Sequence, residues 1–200
     1  HFSPAIFGTW DVILAFTTML VPLISLELSS ATYRWLLDQE AGERLETIIA
    51  TGWQQVKKNI VIFSIIASLV SFLFKLPYSW EIIILINLHI ILQFFQQSAR
   101  GSGKNKLFAF LLFLPTAITI SLVMASIFYF PLGIHAFLYG QIIALASTII
   151  LAYKRLAFQQ YSRSLASRKL LKNYLTYAVP IIPAAISWMM MTMMDRLVIA

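Results

Sequence analysis

An all-α membrane fold with six transmembrane helices is what this sequence predicts, and three observations carry that expectation. Apolar residues make up 60% of the chain and charged residues only 12%, against roughly a quarter charged in an ordinary soluble domain. The apolar residues gather in six segments, about residues 10–37, 59–75, 81–99, 107–130, 132–153 and 176–200. Most reach the ~20 residues that a helix needs to span a bilayer. Finally, all but two of the 15 Lys and Arg lie in the connectors 38–58, 100–106 and 154–172 or at the helix ends beside them.

That segregation predicts an orientation. The remaining connectors, 75–80 and 130–133, are short, proline-containing and nearly uncharged, with Lys75 their lone cation; Arg196 lies within a helix. The positive-inside rule places the three basic connectors in the cytoplasm and residue 1 outside a cell membrane crossed several times. The chain opens on His1 and stops at Ala200 inside an apolar run, with no signal-peptide pattern. An internal piece of a longer protein is therefore expected, preceded by an odd number of helices, most simply one. There is no cysteine, which excludes disulfides and thiol chemistry and leaves the compartment open.

The first helix, 10–37, contains Pro22, which removes a backbone hydrogen bond and predicts a kink. Glu27, Ser30 and Arg34 then share one face. They read as a cavity wall with an acid deeper in and a cation at the mouth; Arg34 equally fits a side chain snorkelling to the headgroups. In 38–58, Leu45, Ile48, Ile49, Gly52 and Val56 recur at helical spacing, and Trp53 suits the headgroup layer. Two readings stay open there, an amphipathic helix lying on the membrane and an extension of its neighbours. The second span, 59–75, is short.

The third helix, 81–99, carries the most pointed pattern. His89, Gln93, Gln96 and Arg100 fall on one stripe of an otherwise Ile-, Leu- and Phe-rich helix. Arg100, Lys104 and Lys106 follow at its basic end. Interhelical hydrogen bonding is the plainer explanation of such residues, but four aligned groups exceed it, and a polar cavity wall is expected. Arg100-Gly101-Ser102-Gly103-Lys104 lacks the spacing and hydroxyl of a phosphate loop and reads as a tight turn. No nucleotide, metal or other cofactor is expected, and no nucleic acid.

The fourth helix has Pro115 but no charge, and the fifth has His135 and Tyr139 one turn apart, read as packing. The connector 154–172 is basic enough for anionic headgroups. In the sixth segment, Pro180 and Pro183 precede a methionine run and then Asp195 and Arg196. Consecutive residues diverge by about 100° on a helix, so each needs a partner elsewhere. Intramembrane charges are costly and mark function, and Glu27, Asp195 and Arg196 are candidate coupling or gating residues.

Three stretches together carry a family resemblance: Leu26-Glu-Leu-Ser-Ser-Ala-Thr-Tyr-Arg34, Gln97-Ser-Ala-Arg-Gly-Ser-Gly-Lys-Asn-Lys-Leu-Phe-Ala109, and Tyr177-Ala-Val-Pro-Ile-Ile-Pro-Ala-Ala-Ile-Ser-Trp188 followed by Asp195-Arg196. In this order and spacing the chain resembles the polysaccharide repeat-unit flippases of the multidrug/oligosaccharidyl-lipid/polysaccharide exporter superfamily. The resemblance implies a transporter of twelve to fourteen helices in two lobes around a central cavity. Residues 1–175 would be first-lobe helices with the first one missing, and 176–200 the truncated first helix of the second lobe. It implies flipping of undecaprenyl-pyrophosphate-linked oligosaccharide from the inner to the outer leaflet for exopolysaccharide or capsule synthesis. Its partners would be that lipid-linked oligosaccharide, membrane lipids and a polysaccharide polymerase. Arg34, Arg100, Lys104 and Lys106 would then receive the pyrophosphate, and His89, Gln93 and Gln96 the sugar. The alternative is a multidrug or metabolite antiporter of the same superfamily. A membrane polymerase or acyltransferase is disfavoured by the short, nearly uncharged outer connectors, and no enzyme is expected.

Overall fold

The computed structural model describes residues 4–38, 44–129, 133–156, 158 and 166–199, with backbone alone for 4–5, 127–129, 189 and 192–199. Every regular element among them is helical: α1 (Pro4–Ser25), α2 (Leu28–Leu37), α3 (Leu45–Phe74), α4 (Ser79–Gly101), α5 (Asn105–Tyr129), α6 (Ile134–Arg155), α7 (Arg168–Ala178) and α8 (Ile181–Ile199). Five of these, α1 and α3 to α6, are long and apolar enough to cross a membrane. This is the composition of an all-α, multi-pass membrane protein.

Three segments have bounds other than the sequence predicted. The first, 10–37, is two helices. Pro22 does not merely kink it; the chain breaks at Leu26 and Glu27, both at φ 50° in the left-handed region. Asn59 Nδ2 donates at 3.1 Å to the Ile24 carbonyl exposed beside the break, and Gln55 Nε2 donates at 3.1 Å to Asn59 Oδ1. A side chain thereby satisfies a backbone acceptor that the helix no longer can.

The short second span and the amphipathic connector are one continuous helix, α3, of 30 residues. The apolar face at Ile48, Ile49 and Val56 is buried against protein rather than lying on lipid. Trp53 likewise packs on Phe94, Phe95 and Phe158 at ring distances of 5.3–5.6 Å. The sixth segment divides at a turn over Val179 and Pro180 into the end of α7 and all of α8. Proline cannot donate the N–H that would continue the helix.

Helix α4 is central, packing on α1, α2, α3, α5 and α6. Close approach to α2 and α3 is made possible by glycine. A Cβ at Gly101 would lie 2.7 Å from Leu36 Cβ, and one at Gly52 would meet Thr32 and the Phe94 ring. The turn after α4 is tight, as predicted. Gly103 sits at φ 73°, and Lys104 N–H reaches the Ala99 carbonyl at 2.9 Å, the six-to-one bond of a glycine-terminated helix. Away from α4, whole faces remain uncovered: Ile62, Ile65, Ile66 and Leu69 on α3, and Phe113 and Ile120 on α5. In water such stripes would drive association; in hydrocarbon they are ordinary lipid contacts.

Candidate functional site: a polar-lined cavity between four helices

Helices α1, α4, α5 and α6 enclose a cavity of about 460 Å³. Three members of the α4 stripe line it, His89, Gln93 and Gln96, with Gln141 facing from α6 and Thr18, Thr116 and Thr119 from α1 and α5. Trp10, Leu14, Leu112 and Ile120 complete the wall. Spacings of four and three residues keep the α4 groups on one side, and that side faces the opening.

Each polar group has a different bond. Gln141 Nε2 lies 2.9 Å from His89 Nε2. The two side chains thus tie α4 to α6 across the cavity wall. Gln96 Nε2 donates to the Leu111 carbonyl at 3.0 Å. Leu111 is four residues before Pro115, whose missing N–H leaves that carbonyl without its helical donor. Gln96 thus mends α5 with one of its two amide hydrogens. Gln93 differs: its Oε1 is buried with no hydrogen-bond partner among the described residues. An acceptor left this way costs about 1–3 kcal/mol, so Gln93 is the strained member of the wall.

Arg100, the fourth member of the stripe, does not line the cavity. Its guanidinium sits 4.7 Å over the Tyr33 ring and 5.5 Å over Phe108, bridging α2 and α5. Arg34, the next residue along α2, lies 4.4 Å over Tyr177 of α7 and 3.6 Å from Asp38. Two of the predicted cations therefore share the end of α2, each resting on aromatic rings. Lys104 and Lys106 go elsewhere, to a surface groove between α5 and α6 that Arg155 completes. Glu27 is 7% exposed and accepts from Ser30 Oγ at 2.6 Å; it borders the α1–α2 break rather than the cavity. Asp195 and Arg196 lie on the last turns of α8, and their side chains fall outside the described residues.

Two groups escaped the sequence reading. Gln141 is a single polar residue among Ile and Ala, with no periodic partner to expose it. Glu81, in the first turn of α4, is 2% exposed. Its Oε1 is 3.7 Å from His135 Nδ1, too long for a hydrogen bond and short enough for electrostatic attraction. His135 stacks on Tyr139 and meets Tyr78 edge-on. An acid opening a helix also satisfies the helix dipole, and that commoner role hid it. Among the described residues, no three His, Asp or Glu gather to hold a metal. Comparison with known families, curated proteins and solved structures finds no match for this chain.

Proposed function

We propose that residues 1–175 are first-lobe helices and 176–200 the start of the second lobe of an alternating-access transporter that flips undecaprenyl-pyrophosphate-linked oligosaccharide repeat units from the inner to the outer leaflet of the cell membrane. The observation that carries this reading is the row of His89, Gln93 and Gln96 on α4, faced by Gln141, along one wall of a largely apolar cavity within the helix bundle. Sugar hydroxyls bond to the polar side chains along this wall, among them His89, Gln93, Gln141 and the threonines. Arg34 and Arg100, on the basic and by this reading cytoplasmic end, receive the pyrophosphate. The rings under Arg100 hold that cation in place without neutralising it, since a ring face attracts a guanidinium and contributes no formal charge, while Arg34 shares its charge with Asp38 at 3.6 Å. The lipid tail stays in the bilayer. Glu27, Asp195 and Arg196 are the groups assigned to coupling or gating.

The volume and walls of the cavity also favour a second reading. About 460 Å³ lined by Trp10, Leu112 and Ile120 is the size and character of a site for one drug-sized solute, as in a multidrug or metabolite antiporter. One experiment separates the two. In the full-length protein, Arg34→Ala with Arg100→Ala should abolish surface polysaccharide and leave lipid-linked repeat units on the cytoplasmic leaflet. Normal polymer from the folded double variant would sink the flippase reading. Export of a small cationic solute undiminished by the same variant would favour the antiporter.

A further inference from the structure

The groove that takes Lys104 and Lys106 away from the cavity has a chemistry of its own. Helices α5 and α6 form a hairpin, so the start of one lies beside the end of the other. Between them is a groove of about 820 Å³ whose lining includes Lys104, Lys106 and Arg155 at the rim and Leu107, Phe110 and Leu151 alongside. On α5, Phe110 follows Lys106 by four residues; on α6, Leu151 precedes Arg155 by four. Four residues are one turn, about 6 Å along the axis. Both walls therefore run from cation to hydrocarbon in the same direction.

Among the described residues no acid lines this groove, and the sequence contains no Asp or Glu between Glu81 and Asp195. Three neighbouring cations with no carboxylate among them call for an anion from outside the chain. A soluble anion would use the rim and leave the apolar wall, where Phe110 is 46% exposed, without a partner. We infer that this groove is a binding site for one anionic glycerophospholipid of the leaflet on the basic side. Its phosphodiester sits among Lys104, Lys106 and Arg155, and an acyl chain runs along Phe110 and Leu151. The site lies outside the central cavity and is independent of which cargo that cavity carries.

The test uses the full-length protein, delipidated in neutral detergent and titrated with phosphatidylglycerol while the unfolding midpoint is followed by tryptophan fluorescence. Phosphatidylglycerol should raise the midpoint saturably, and phosphatidylcholine or inorganic phosphate should not. Each groove cation is worth about fivefold in affinity for an anionic lipid. Lys104→Gln with Lys106→Gln and Arg155→Gln should therefore weaken the titration about 100-fold, and Lys106→Gln alone about fivefold should the triple variant not fold. The exposed pair Lys169→Gln with Lys172→Gln should leave it unchanged. Four results overturn the inference: phosphatidylcholine acting equally, inorganic phosphate acting equally, groove variants that titrate as the parent does, or the Lys169 and Lys172 control weakening binding as much as the groove variants.

Discussion

Replacing Gly101 by alanine puts a methyl group where α4 has no room for one. The added carbon would stand 2.6 Å from Leu36 Cδ1, 2.7 Å from its Cβ and 3.3 Å from its Cγ. Ordinary contact needs about 3.5–4 Å, so α2 must retreat by roughly an ångström, since a new Leu36 rotamer would move Cδ1 and Cγ but not Cβ. Overpacking of this kind costs about 1–3 kcal/mol, and alanine's better helix propensity returns at most about 1 kcal/mol. Leu36 is only 2% exposed, so Leu36→Ala alone should cost about 2–5 kcal/mol as a cavity. In the double variant two of the three close atoms are gone and the new methyl partly fills the space. The second substitution should then cost at least about 1 kcal/mol less than it does alone, a coupling typical of residues in contact. Unfolding of the full-length protein in mixed micelles with a denaturing detergent, followed by tryptophan fluorescence, measures all four corners. Costs that add to within about 0.5 kcal/mol would refute the described contact between α2 and α4.

Asn59→Ala removes the donor to the Ile24 carbonyl and should lower stability by about 1 kcal/mol, read by the same unfolding assay, because a part-buried acceptor is left unpaired. Gln96→Leu should destabilise by a similar amount while Pro115→Ala in that background restores most of it, since alanine returns the N–H that Leu111 lacks. Tyr33→Leu should weaken the seat of Arg100 by about 0.5–1 kcal/mol, seen as faster reaction of an arginine-directed reagent at position 100 by mass spectrometry. Cysteines at Leu76 and Asn105, both exposed, should label from opposite sides of the membrane, with an impermeant outside reagent reaching position 76 alone.

Much of the architecture was legible because lipid imposes a simple rule: a span must be long, apolar and helical. The α4 stripe was legible for a related reason, since polar residues at helical spacing stand out sharply against Ile, Leu and Phe. What the pattern could not show was which neighbour each group would meet. Gln96 has the same spacing as Gln93, yet Pro115 on another helix makes one a structural donor and leaves the other open. Lys104 and Lys106 follow Arg100 in sequence, but the turn at Gly103 carries them to a different face. The break at Leu26 and Glu27 involves neither glycine nor asparagine, the usual left-handed residues, so nothing local announced it. The continuity of α3 was obscured by Lys57, Lys58 and Asn59, which interrupt hydropathy without interrupting helix formation.

That uninterrupted helix has a mechanical consequence. Thirty residues without a proline make a rod about 45 Å long, longer than the apolar slab it crosses. Asn59, near its midpoint, is tied to the break between α1 and α2. Its buried residues, Ile48 to Gly52 and Val56, all lie in its first half, so the rod is anchored toward Leu45 and its other half projects: a tilt of about 10° around Asn59 moves Phe74 by roughly 4 Å. The Leu45 arm carries the packing against α2 and α7, where Arg34 rests, while the Phe74 arm runs to the opposite rim. Load on the projecting Phe74 half therefore bears on the packed half beside Arg34.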